Sequence, residues 1–224
     1  MSNTILDSFK EKLRLKNILM MLVSVFFMGV SVALLNLTDF GPDPFSALNY
    51  AICTIFNIDL GPCELVVNVA LIVVLFIADK TLFGPGTIGN MVIVGYAADF
   101  TKWLVFKLFP ELTFDSLSLR IIVMIPAFIV FLIAAALYMN SKTGTSPYDA
   151  ASFFIYNKVS KNGERKITFR LVRIIYDALV TLLAVGLGFI GGKQSVGIMT
   201  ILMVFALGPA VDLVGSLLNK NKKN

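Results

Sequence analysis

The chain predicts an all-α, polytopic helical membrane protein with two sequence repeats, and three observations carry that reading. The first is composition: of 224 residues 57% are hydrophobic and 15% charged, with a mean hydropathy of +0.84. A soluble domain lies nearer 45–50% apolar and about 25% charged. The second is the uncharged runs at 17–38, 81–98, 121–141 and 194–211, each 18 to 22 residues long. A bilayer core takes about 20 apolar helical residues to cross. The third is a motif that occurs twice. Gly41-Pro42-Asp43-Pro44-Phe45-Ser46-Ala47 returns as Gly144-Thr145-Ser146-Pro147-Tyr148-Asp149-Ala150. Each copy ends a long apolar run at a glycine and restarts a helix at a proline.

Each half predicts four helical pieces. A full span at 18–38, too long for a signal-peptide core, recurs at 120–140. A short helix at 44–57 recurs at 147–158. Asp43 and Ser146 are good N-caps before a proline at the first helical position. Asp149 stands three residues after Ser146, as in a capping box with Asp in place of Glu. Third helices follow at 63–79 and 170–190, and fourth helices at 86–107 and 195–218. The fourth pair repeats a second pattern: Gly84, Thr87, Gly95 and Asp99 match Gly197, Thr200, Gly208 and Asp212. Residues 1–16 read as a cytoplasmic segment and 17–108 as the first membrane repeat. A linker at 109–119 leads to the second repeat at 120–218 and a basic tail at 219–224.

Fourteen helical residues rise roughly 21 Å, short of the ~30 Å hydrocarbon core. The short helices therefore predict half-helices, six full spans and inverted repeats. Eight spans with parallel repeats is the alternative. Basic residues cluster before the first span, at 158–170 and at the C-terminus, which places these segments in the cytoplasm. The net charge of +5 is thus a topology signal and implies no nucleic-acid partner. The partner is the lipid bilayer, with a homo-oligomer or a second membrane protein left open.

The pattern of long apolar helix, Gly-x-x-Pro-aromatic-[Asp/Ser]-Ala, then Gly-x-x-Thr and Gly-x-x-x-Asp, resembles the YczE/YitT family of small bacterial membrane proteins. The copy at Gly144 is the closer match; the first copy has Asp43 for Ser and Ser46 for Asp. The resemblance implies a multi-pass protein of the bacterial inner membrane. It brings no catalytic residue and no substrate.

Charged side chains inside spans are costly and mark functional positions. Asp99 and Asp212, at matching repeat positions, are candidates for a symmetric acid pair lining a central cavity and coupling to a cation or proton. Asp177, one turn beyond Arg173, reads as an ion-paired acid. Asn90, with Asn49 and Asn68, is an amide in an apolar helix that either bonds across helices or faces a solute. The half-helix starts are the best candidate site, with Asp43, Phe45, Ser146, Tyr148 and Asp149 around it and Gly41, Pro44, Gly144 and Pro147 as the breaks. No histidine is present, and Cys53 and Cys63 do not have metal-ligand spacing. No metal, cofactor or enzymatic activity is expected. A duplicated helix break points to a transporter, so the expectation is a secondary transporter or permease for a small solute. A non-transporting accessory, sensor or substrate-binding subunit is the second reading.

Overall fold

The computed structural model describes residues 13–76, 83–160 and 168–220, without the side chains of 212, 215 and 218–220. Its helices are α1 (Leu15–Leu37), α2 (Pro44–Phe56), α3 (Leu60–Phe76), α4 (Pro85–Leu108), α5 (Leu117–Asn140), α6 (Pro147–Ser160), α7 (Phe169–Gly191) and α8 (Ile198–Lys220). Each expected piece has a counterpart, and residues 77–79 of the expected helix 63–79, with most of the expected segments 1–16, 158–170 and 219–224, lie outside the described residues. By length and composition α1, α5 and α7 can each cross a membrane. Large apolar side chains such as Phe26, Ile122, Leu182 and Phe189 are exposed around the outside. That is the surface a lipid phase covers.

The chain direction follows from which ends touch. A Cβ on Gly29 of α1 would lie 2.7 Å from Ala97 Cβ, and one on Gly89 would lie 2.6 Å from Met21 Sδ. Both contacts share one register, so α1 and α4 run parallel. Asp99 near the end of α4 accepts from the first amides of α3, Leu60 N at 3.1 Å and Gly61 N at 2.6 Å. Leu75 at the other end of α3 packs in one cluster with Phe83. α3 therefore runs against α4. Between α1 and α5 the order reverses. Asp39, after α1, pairs with Arg120, at the start of α5, at 3.2 Å. Met21 and Val25, early in α1, pack with Tyr138, late in α5. α1 and α5, which open the two halves of the chain, therefore run antiparallel, the direction that inverted halves require.

The short helices explain the odd count. α2 has 13 residues and α6 has 14, rising about 20 Å each. The axis turns by 113° between Pro44–Phe56 and Leu60–Leu75, through Asn57 in the left-handed region (φ 52°). α2 begins inside the bundle and ends at the face where α1 ends, beside Asn36 and Asp59. α2 is thus a short helix turned sharply away from α3.

Each break is closed by the other repeat. Asp39 and Lys142 both take left-handed φ, 58° and 61°, as α1 and α5 end. Gly41 (φ +85°) then lies against Gly197 and Thr200, and Gly144 (φ +117°) against Gly84 and Thr87. A side chain at either glycine would meet both a forbidden φ and backbone atoms. Phe40 O accepts from Met199 N, and Thr143 O accepts from Gly86 N, both at 2.9 Å. The two repeated glycine patterns therefore face one another. α1 packs on α4 as α5 packs on α8, and α2 packs on α7 as α6 packs on α3.

Two predictions follow from this path. In a chain lacking Cys53 and Cys63, cysteines at Glu111 and Lys193 label with an impermeant thiol reagent from one side of the membrane, and one at Lys158 labels from the other. Gly41→Val and Gly144→Val each lower the melting temperature in detergent by roughly 5 °C or more through overpacking and strain. Gly186→Ala, with no atom within 4 Å of its added Cβ, leaves it unchanged.

Candidate functional site

The two half-helix starts converge in the middle of the bundle. Phe45 at the start of α2 and Tyr148 at the start of α6 have ring centroids 4.8 Å apart. Beside them lies a cavity of about 50 Å³. Met28 and Phe131, halfway along α1 and α5, also line it, which fixes its depth between the faces. Asp43, Asn90, Ser146, Tyr148, Asp149 and Asp177 all reach this cavity, as Phe45 does, so one site unites these seven expected residues.

The two arms of the site differ in charge. On the first, Asp43 Oδ1 caps α2, accepting from Phe45 N at 3.1 Å and Ser46 N at 3.2 Å. On the second, the cap is Ser146, whose Oγ accepts from Asp149 N at 3.0 Å. The Asp149 carboxylate does not complete a capping box. It pairs with Arg173 Nη2 of α7 at 2.8 Å. Asp177, one helical turn on, faces Arg173 Nε at 3.6 Å and accepts from Tyr148 Oη at 2.5 Å. Asp177 is the ion-paired acid that its spacing suggested, and it lines the cavity as well. Arg173 thus serves two buried carboxylates, and Tyr148 ties the half-helix start to them. Tyr176 also packs on Tyr148, with ring centroids 4.8 Å apart and the planes tilted by 39°.

Asp99 departs from the expected acid pair. It caps the start of α3 and lines a separate polar pocket with Lys102 and Lys193, near the face where α1 ends. A carboxylate at a helix N-terminus satisfies free amides and the positive end of the helix dipole. Its matching Asp212 lies on α8, and its side chain is outside the described residues.

Two residues of the cavity carry no expectation from the motifs, Glu64 and Arg173. Each stands four residues after the first residue of its helix, Leu60 or Phe169. Each is followed one turn later by a polar residue, Asn68 or Asp177. By position on their helices Glu64 corresponds to Arg173 and Asn68 to Asp177. The signal was available: Glu64 is the one charge in 60–78. Among the described residues no group of three or more His, Cys, Asp or Glu is placed to hold a metal ion.

The chain belongs to a family of unknown function, DUF6198, whose model matches residues 15–216 and so spans both repeats. No curated protein and no solved structure matches it.

Removing Arg173 leaves two carboxylates buried without their cation. Breaking a buried pair from one side costs about 3–5 kcal/mol. Arg173→Ala is expected to lower thermal stability sharply. Adding Asp149→Asn and Asp177→Asn to it is expected to restore much of the loss, read as melting temperature in the same detergent.

Proposed function

We propose that this DUF6198 protein is a permease for a small solute, with its site at the meeting point of the two half-helices. The observation that carries the reading is the contact of Phe45 with Tyr148 beside a charged cavity midway between the faces. Inverted repeats with broken helices at the midplane are a common transporter design, because two related halves can rock about one fixed site. In such a cycle each half-helix moves together with the helix it packs on, α2 with α7 and α6 with α3.

The cavity is small and partly open. About 50 Å³ of space admits three or four water-sized groups, at roughly 10–15 Å³ each. A solute larger than this enters only when α2 or α6 shifts. Resemblance of the Gly144 motif to the YczE/YitT proteins supports the finer placement in the bacterial inner membrane. The face bearing Arg14, Lys16, Lys158 and Arg170 is then the cytoplasmic one, by the positive-inside rule.

The test is uptake by the purified protein in liposomes, offered a mixture of isotopically labelled small amines, amino acids and carboxylic acids. At least one solute is expected to accumulate with saturable kinetics, and Tyr148→Ala to slow that uptake tenfold or more. Absence of uptake for every solute, together with co-purification of a stable membrane partner, would move the protein to the accessory-subunit reading.

A further inference from the structure

The charge asymmetry of the cavity names what its first arm takes. We infer that the arm built from α2 and α3 binds a small monovalent cation, in the role that the Arg173 guanidinium fills in the arm built from α6 and α7. The inference deepens the permease reading and rests on it for the purpose of the cavity, although binding is measured without flux.

In the second arm Asp149 and Asp177 share one positive charge, Arg173. In the first arm Asp43 and Glu64 reach the same cavity, and among the described residues neither has an ion pair with a protein cation. Glu64 is 1% exposed and its Oε2 has no hydrogen-bond partner. An ionised carboxylate taken from water costs several kcal/mol unless it is paired. Asn68, one turn further along α3, is fully buried with both amide atoms unpartnered, and Asn49 on α2 keeps a free buried Oδ1. A well-packed interior leaves few such atoms. Among the described residues seven such atoms remain. Four lie on α2 and α3, three of them oxygens, the donor type that hard cations prefer. The others are Ser31 Oγ on α1, and Arg173 Nε and Asp177 Oδ2, which face each other as an ion pair in the second arm.

The size and charge of the guest follow. Glu64 Oε2 lies close to Gly95, where an added Cβ would stand 2.9 Å from it, so the space at this oxygen is narrow. The cavity holds only a few water-sized groups. Two carboxylates with one cation reproduces the ratio in the second arm, and no third acidic, His or Cys ligand is placed for a divalent ion. An alkali ion and a small ammonium share this chemistry.

The experiment follows the melting temperature of the detergent-purified full chain in choline chloride. Sodium, potassium, ammonium or methylammonium chloride then replaces choline at constant ionic strength. At least one of the four is expected to raise the midpoint saturably, by about 5 °C or more at a hundredfold excess over its Kd. The responding salt separates an alkali ion from an ammonium. Glu64→Gln is expected to match or exceed the wild type in choline and to lose the shift. The exposed Glu111→Gln keeps it. A wild type indifferent to all four salts, stabilised by acid alone, overturns the inference, and so does an undiminished shift in Glu64→Gln. A cation-dependent midpoint without uptake in liposomes would remove the permease reading and keep the site. Uptake that is indifferent to these cations, with no shift, would do the reverse.

Discussion

A chain that leaves its helix inside a bilayer must find a partner for every peptide group it uncovers, because lipid supplies none. This protein meets the constraint by exchange. The carbonyls uncovered at Phe40 and Thr143 take amides from Met199 and Gly86, each at the start of the last helix of the opposite repeat. Those helices begin with Gly197 and Gly84, which leave room for the incoming Gly41 and Gly144. Neither break can form without the other repeat, so the inverted pair folds as one body. The two half-helices are then fixed with their starts pointing at each other.

On this symmetric backbone the side chains are deliberately unequal. The cap is an acid in one repeat, Asp43, and a hydroxyl in the other, Ser146. The third helices carry Glu64 and Asn68 on one side, and Arg173 and Asp177 on the other. Backbone symmetry supplies two ways to reach the cavity. Side-chain asymmetry gives the two arms different electrostatics, one internally paired and one still short of a positive charge. A binding site that must release its guest benefits from that difference, since a built-in cation cannot leave and a bound one can.

Much of this was legible in the sequence, for physical reasons. Hydrocarbon thickness makes spans readable as uncharged runs. The left-handed glycines and the proline-started helices have few residue choices, so the breaks stand out. The roughly 21 Å rise of a 14-residue helix favours inverted over parallel halves, and the contacts of Asp39 with Arg120 and Met21 with Tyr138 show α1 and α5 antiparallel. The site was half legible. Phe45, Tyr148, Asp149 and Asn90 follow from the motif and its neighbours. Arg173 and Glu64 do not, because their equivalence appears only when the third helices are aligned by contact, and their chemistry there is opposite. Asp99 was misplaced for a related reason. Spacing shows that an acid follows an apolar run, but not whether it turns inward or reaches the end of a neighbouring helix. Its bonds to Leu60 and Gly61 decide for the latter.

The central claim is that segments from the two repeats, entering from opposite faces, touch at the middle of the membrane. It is tested by placing cysteines at Phe45 and Tyr148 in a chain without Cys53 and Cys63, with a protease site inserted in the linker at 109–116. The membranes are treated with a short bifunctional thiol reagent, cleaved at the linker and run on a denaturing gel. The account predicts that the halves stay joined as one band until the cross-link is reduced. Halves that separate completely, while a control pair at Asp39 and Arg120 remains joined, would contradict it.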